Sequence, residues 1–237
     1  RHTCTVRHCP RFRDCSYYEA RTRLAEANVI VANHDLVLAS LGMKTLPELD
    51  NCLVIFDEGH HLPAVALDQF SSSMDMSNLR WLDKLPKIVG EVSSALHIHA
   101  GEDVATVTSQ LKGALTQLAR MAMDLVWEQT GKNPDGGGQD GTLRFAHGVL
   151  PEELTEPVSQ IHAQALGLSK ALEALGLEVK AVAKEDPSQA TQCAQLYAKM
   201  GALAPRLNGV VSTASLLLEH GAQPLAKWLQ AESEHGY

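Results

Sequence analysis

The pattern of apolar residues divides the chain near Ser77 into two parts. Before that residue, 29–32 and 53–56 are short, continuously apolar runs, which are typical of parallel strands buried on both faces. A helix is predicted from Asp14, its N-cap, to about Ala27, and a shorter one at 36–41. Strands that alternate with helices indicate an α/β sheet, in which ligands bind beyond the carboxyl ends of the strands.

After Ser77 the spacing of apolar residues is helical. A first stretch at 79–96 is interrupted at Pro86, and a second predicts one helix of about 27 residues from Val104, roughly 40 Å long. A glycine-rich loop is predicted at 131–141, a short strand or hairpin at 142–149, and a further helix from Pro151.

Two longer stretches, 158–182 and 193–217, place apolar residues at alternating spacings of three and four. Asp186-Pro187 separates them, which predicts an antiparallel helical hairpin with a coiled-coil-like seam. Pro205 is expected to kink the second helix. The predicted fold class is therefore mainly α with an α/β portion, and the apolar stripes are interpreted as the core of a bundle.

The composition is that of a globular protein. The chain has 237 residues, 45% of them hydrophobic, which suffices for one substantial core or two small domains. No apolar run reaches the roughly 20 residues that span a bilayer, so we expect no membrane segment and a cytoplasmic location. The chain begins at Arg1, close to a cysteine cluster, and we expect the sequence to continue upstream.

The charge is distributed unevenly along the chain. Residues 1–23 hold six arginines against Asp14 and Glu19, a net charge of +4, so with a total of −8 the rest of the chain carries −12. Clustered basic groups favour phosphate binding through counterion release, whereas an acidic body repels nucleic acid. We therefore predict that any nucleic-acid-binding face lies in this N-terminal segment. The alternative is a solvated basic terminus.

Three cysteines lie close together near the N-terminus with the spacing C-x4-C-x5-C: Cys4, Cys9 and Cys15. In a polar, irregular segment, three such thiolates can converge on zinc or on an iron-sulfur cluster. Both normally need a fourth ligand, which would come from upstream, from His2 or His8, or from solvent. Zinc knots favour C-x2-C pairs, so the spacing favours iron and sulfide. Cys52 and Cys193 lie in apolar patterns, which predicts buried thiols.

An acidic pair follows the second predicted strand, in the motif Asp57-Glu58-Gly59-His60. Adjacent carboxylates at a strand end suit the hydrolysis of a magnesium nucleotide, because Asp57 can hold Mg²⁺ through water while Glu58 orients and deprotonates the attacking water. An ordinary acidic turn is one alternative. A zinc site of Glu58 with His60 and His61 is another, which is disfavoured because there is no H-E-x-x-H spacing and neighbouring side chains at a strand end point apart.

These motifs resemble those of the iron-sulfur superfamily 2 DNA helicases, and most closely the DinG-type group. The resemblance covers about residues 1–65 and rests on the three cysteines, on Val29-Ile30-Val31-Ala32-Asn33-His34 and on 54–63. The family motif is Asp-Glu-Ala-His, and this chain has Gly59 at the third position, where both residue types are small.

The resemblance implies specific roles for the motif residues. It implies that Cys4, Cys9 and Cys15 are three of the four ligands of a 4Fe-4S cluster. It also implies, for the Mg-ATP site, that Asp57 engages Mg²⁺, that Glu58 is the catalytic base, and that His60 couples the nucleotide site to the motor.

The resemblance also implies a division of the chain. Residues 1–27 would be the C-terminal part of the iron-sulfur cluster segment, 28–65 part of a RecA-like motor domain 1 with its Walker B motif, and 66–237 a helical arch domain. The parent protein would be an ATP-dependent 5′ to 3′ helicase that translocates on single-stranded DNA. Its expected partners are single-stranded DNA, forked DNA or DNA–RNA hybrids, and single-strand-binding protein.

We expect the chain by itself to be inactive. It contains no G-x-x-x-x-G-K-S/T motif to cradle phosphates, and the second motor domain is missing. The alternative function is a non-enzymatic module, a zinc knot with a helical bundle, that binds a protein partner. That alternative leaves the acidic motif after the second strand unexplained.

The basic segment offers candidate contacts to DNA. Arginine side chains would bind phosphates and tyrosine rings would stack on bases. The candidates are Arg11, Arg13, Arg21 and Arg23 for phosphate, and Tyr17 or Tyr18 for stacking.

Overall fold

A computed structural model of the chain describes residues 4–43, 46–47, 52–98, 103–131, 141–221 and 225–231. The chain forms two compact units, one of residues 9–72 and one of residues 1–8 with 73–237. The predicted ligand His2 and most of the predicted glycine-rich loop, 132–140, lie outside the described residues. Within the described ranges, no helix is both long enough and apolar enough to cross a bilayer.

In the described part of the smaller unit there are three short α-helices, α1 (Ser16–Leu24), α2 (His34–Met43) and α3 (Leu62–Phe70). Helix α1 begins after Cys15, which makes no side-chain capping bond, so the prediction of Asp14 as N-cap is wrong. The same helix ends three residues before the predicted Ala27, and α2 is longer than the predicted 36–41. Helix α3 begins with Pro63 in its first turn, where the missing N–H costs nothing.

The two predicted buried strands do not form in the smaller unit, and this prediction is wrong for the described structure. Residues 29–32 and 53–56 are assigned to no strand, and their side chains are largely exposed. The exposed fraction alternates along 53–56 as 85, 39, 80 and 40%, which is the period of two expected for an extended chain. A strand needs hydrogen-bonding neighbours, and the described part of this unit provides none.

The larger unit is a helical bundle with a small sheet. Its elements are α4 (Leu85–Leu96), α5 (Val104–Thr130), β1 (Gly141–Arg144), α6 (Glu152–Glu185), α7 (Ala190–Gly201), α8 (Ala204–Leu218) and β2 (Trp228–Ala231). The predicted helix of about 27 residues is confirmed as α5, which has 27 residues. Both prolines that were expected to interrupt helices, Pro86 and Pro205, instead lie in the first turns of α4 and α8.

The predicted helical hairpin is confirmed. Helix α6 turns at Asp186, whose carboxylate accepts a hydrogen bond from the backbone N–H of Ser188, and α7 and α8 then run back along it. The Ser169 hydroxyl donates to the Asn208 side chain at 2.9 Å, and the Lys180 ammonium lies 4.5 Å from the ring centre of Tyr197. The residue number rises along α6 as it falls in the partner arm, as an antiparallel hairpin requires.

The apolar stripes form one core. Residues from α4 to α8 and from both strands belong to it, and Ile161, Val179 and Leu207 have no exposed surface. Helix α6 contacts α5, α7 and α8. The mainly helical fold class is therefore confirmed for this unit.

The sheet joins distant parts of the chain. Strands β1 and β2 pair antiparallel, with Leu143 opposite Leu229, so the partner of the predicted strand at 142–149 is not local. Just before β2, Lys227 is buried, and its ammonium donates to the carbonyl oxygens of Leu217 and Glu219, each at 2.8 Å. Burial lowers the pKa of Lys227, while the nearby charge of Glu219 acts in the opposite direction. This lysine satisfies carbonyls that the end of α8 leaves without a helical partner.

Two glycine-to-alanine substitutions, one at a crowded position and one at an open position, test the packing of the larger unit. Gly148 has a φ of +66°, and a Cβ there would overlap the carbonyl oxygen of Leu225, so Gly148→Ala should lower the free energy of unfolding by about 1–3 kcal/mol. Gly113, inside α5, has open space around it, so Gly113→Ala should raise the free energy of unfolding by about 0.5–1 kcal/mol. Urea unfolding of the chain measures both. An unchanged or increased stability of Gly148→Ala would contradict the observed approach of Leu225.

Candidate functional site

The acidic motif lies in a sharply bent piece of backbone in the smaller unit. Glu58 has φ 49° and ψ 42°, which is the left-handed region, and residues Gly59–His61 follow as one 3₁₀ turn leading into α3. A residue with a Cβ adopts this conformation at a cost of roughly 1–2 kcal/mol. The adjacent Gly59 could adopt it without strain, yet its φ is not positive. The backbone therefore bends at the predicted catalytic base itself.

The bend brings side chains of the motif together. The Asp57 carboxylate accepts a hydrogen bond from the backbone N–H of Glu58 at 3.0 Å. Glu58 Oε2 lies 3.2 Å from His60 Nδ1, and the rings of His60 and His61 lie with their centres 4.0 Å apart. The side chains of Glu58 and His60 are both about two-thirds exposed, at 68 and 67%. The motif therefore presents its carboxylates and imidazoles to solvent.

The backbone bend also overturns one argument made from the sequence. Neighbouring side chains at the end of an extended strand point apart, which is one of the two reasons, with the missing H-E-x-x-H spacing, that disfavour a site of Glu58, His60 and His61 from the sequence. In the structure, one ligand atom from each of these three residues lies within 4.8 Å of the other two. The left-handed residue and the 3₁₀ turn replace the extended geometry that the argument assumed. No short sequence motif signals this turn.

The three predicted cluster ligands are divided between the two units. Cys4 belongs to the larger unit, and Cys9 and Cys15 belong to the smaller one. All three are partly accessible, and none forms a disulfide. The backbone N–H of Val6 donates a hydrogen bond to Cys4 Sγ at 3.3 Å, and Val6 adopts a φ of +54° that is rare for a β-branched residue. Sequence reasoning did not anticipate this N–H to sulfur contact.

The remaining two cysteines differ from each other. Cys193 is completely buried, as predicted, and burial raises the pKa of its thiol. Cys52 is exposed, so the prediction of a buried thiol at that position is wrong. Its neighbours 53–56 are the apolar residues that have no strand partners among the described residues. Cys52 is exposed together with them.

The predicted DNA-binding residues lie on α1 and the turn before it. Arg11, Arg13 and Arg23 are exposed, and Arg21 is half-buried. Arg23 pairs with Glu19 at 2.5 Å and Arg21 donates to the Tyr17 hydroxyl at 3.2 Å, so two of the four cations have partners within the helix. Tyr17 is 55% exposed, whereas Tyr18 packs against the ring of Phe12.

The chain is similar in sequence to a known protein family and to several known proteins. Residues 5–79 match the DEAD_2 family, and this range contains the acidic motif and two of the three clustered cysteines. The chain is similar to the ATP-dependent DNA helicase DinG of Photobacterium profundum, with 28% identity over 99% of this chain and 34% of the relative. It is also similar to the DinG helicases of Escherichia coli K12 and Shigella flexneri, each with 33% identity over 65% of this chain and 22% of the relative.

This chain is similar to the DinG-type helicases. The resemblance predicted from the cysteines and the acidic motif is thereby confirmed. The chain spans only about a third of the length of the Photobacterium DinG, and less than a quarter of the length of the other two. Similarity to DinG extends well beyond the DEAD_2 segment into the helical unit, since the Photobacterium match covers almost all of the chain.

The bend at Glu58 can be tested with two substitutions that both remove the carboxylate. Glycine tolerates the left-handed conformation and alanine does not, so Glu58→Gly should be more stable than Glu58→Ala by about 1 kcal/mol. Hydrogen exchange of the amides of α3, which follows the bend, measures the difference within the smaller unit. Equal protection in the two variants would show that residue 58 is not left-handed in solution.

Proposed function

We propose that this chain is part of an ATP-dependent DNA helicase and supplies its Walker B carboxylates. The observation that carries the proposal is the pair Asp57 and Glu58, exposed and followed by His60, inside a segment that matches the DEAD_2 family. The relatives named ATP-dependent DNA helicase DinG support the same assignment. We further propose 5′ to 3′ translocation on single-stranded DNA, a cytoplasmic location, and action on forked DNA or DNA–RNA hybrids with single-strand-binding protein as a partner.

The acidic pair supplies the chemistry of hydrolysis in this proposal. Asp57 would hold Mg²⁺ through its water shell, since carboxylates and water are the ligands that Mg²⁺ prefers. Glu58 would orient the attacking water and accept its proton. The imidazole of His60, 3.2 Å from Glu58 Oε2, would hold that carboxylate in position and respond when the nucleotide is bound. Through this contact His60 would couple the nucleotide site to the rest of the motor.

The cysteines would hold a 4Fe-4S cluster, with the fourth ligand supplied by another residue. The residues fit such a group because their thiols are accessible and free of disulfides, and because Cys4 Sγ already accepts an N–H hydrogen bond. Hydrogen bonds to the sulfurs are among the features by which proteins tune these clusters. When bound, the cluster would act as a structural pin, and the flanking arginines Arg11 and Arg13 would then be held in place to contact phosphates.

The division into domains also remains a proposal. Residues 1–27 would be the C-terminal part of the cluster segment, 28–65 part of a RecA-like motor domain, and 66–237 an arch domain. The exposed apolar runs at 29–32 and 53–56 support the second assignment, because they have the pattern of strands that a larger sheet would cover. The self-contained helical core supports the third.

The assignment of the base is tested by Glu58→Gln in a protein of the relatives' full length that carries this sequence. The amide cannot accept the proton of water, so ATP turnover should fall by roughly two to four orders of magnitude. Exposed Glu26→Gln is the matched control and should leave turnover unchanged. Near-normal turnover in Glu58→Gln would remove Glu58 from the mechanism. The isolated chain, which has no phosphate-binding loop, should hydrolyse no ATP at all.

The identity of the cysteine-bound group is tested by absorption of the same full-length protein. A cluster should give a brown protein with a broad band at about 400 nm, and Cys9→Ser should remove it while Cys52→Ser should not. A colourless protein with stoichiometric zinc would instead favour the alternative, a non-enzymatic zinc knot joined to a helical bundle.

A further inference from the structure

We propose that Glu58, His60 and His61 form a binding site for a borderline transition-metal cation of the Zn²⁺ class. The site lies on the same bend as the acidic pair but does not include Asp57 among its ligands. It is distinct in chemistry from the proposed Mg²⁺ position, since two of its three ligands are imidazoles.

The distances between the ligand atoms fit a small cation. Zinc bonds of about 2.0–2.2 Å to nitrogen and oxygen place neighbouring ligands of a tetrahedral site roughly 3.3 Å apart. Glu58 Oε2 and His60 Nδ1 are 3.2 Å apart, which matches that separation without rearrangement. A nitrogen of His61 lies within 4.8 Å of a ligand atom of each of the other two residues, so rotation of its ring would supply the third ligand. The fourth position is left to water.

The chemistry of the donors selects the metal. Imidazole suits zinc, copper and nickel, whereas magnesium prefers carboxylates, carbonyls and water. Two histidines with one glutamate and a water is also a ligand set that holds zinc in known enzymes. The three side chains are exposed, so the cation can enter directly from solvent.

The site has a consequence that rests on the proposed function. If Glu58 is the base for ATP hydrolysis, a cation bonded to its carboxylate occupies the lone pair that must accept the proton of water. Binding of zinc and hydrolysis of ATP would then exclude each other at this residue. The metal site itself does not depend on that function, because its ligands are defined by their positions alone.

The test is zinc titration of the isolated chain with Cys4, Cys9, Cys15 and Cys52 changed to serine, so that thiolates do not compete. One zinc ion should bind, and His60→Ala, His61→Ala and Glu58→Gln should each weaken binding at least about tenfold, since loss of even an outer-shell partner has that effect. Exposed His220→Ala and Glu26→Gln are the controls and should not change the affinity. No zinc binding, or equal binding in all variants, would overturn the proposal.

A second measurement covers the case in which the serine variant fails to fold. In the unmodified chain labelled with ¹⁵N, zinc should shift the ring nitrogens of His60 and His61 and leave those of His220 in place. Unshifted rings at saturating zinc would leave only the direct contact between His60 and Glu58 and would refute the site. Asp57→Asn separates the two proposals, because it should retain zinc binding while the full-length protein loses ATP hydrolysis.

Discussion

The larger unit depends on the burial of one apolar stripe along α6. Ile161, Leu168 and Val179 from this stripe are completely or almost completely buried, in one core with residues of α5 and α8 such as Leu115 and Leu207. Each side chain of this size contributes about 1.5–3 kcal/mol when it is fully removed from water. Because α6 contacts α5, α7 and α8, its 34 residues fix the positions of all three neighbours.

The same stripe explains why most of this unit could be predicted from the sequence. Helical periodicity is a local property, and over the length of α5 it determined both the type and the bounds of the element. Periodicity does not reveal the effect of a proline, which depends on its position in the helix: Pro86 and Pro205 lie in the first turns of helices and do not bend them. The pairing of β1 with β2 was not predictable from local pattern, since more than 80 residues separate the partners.

The smaller unit has no comparable stripe, and there the local pattern was misleading. Residues 53–56 have the composition of a buried strand and the alternating exposure of an extended chain, but they have no ladder partner among the described residues. An apolar, β-branched composition shows that a segment can form a strand between two packed layers. It does not show that neighbouring strands or helices are present to pack against it. Cys52, which directly precedes these residues, is exposed as well.

At the candidate site, the residue types were predictable from the sequence, whereas the backbone geometry was not. The sequence identified Asp57, Glu58 and His60 by type and order, but it could not show that Glu58 occupies a left-handed conformation. That backbone conformation turns the following residues back toward the glutamate, so that its carboxylate lies 3.2 Å from the imidazole of His60. A carboxylate with such a neighbour can share a ligand with the imidazole, because the two donor atoms already lie at about the separation of adjacent ligands in a tetrahedral zinc site. The partner that Glu58 faces is therefore set by the turn at residues 58–61, not by the order of residues in the acidic motif.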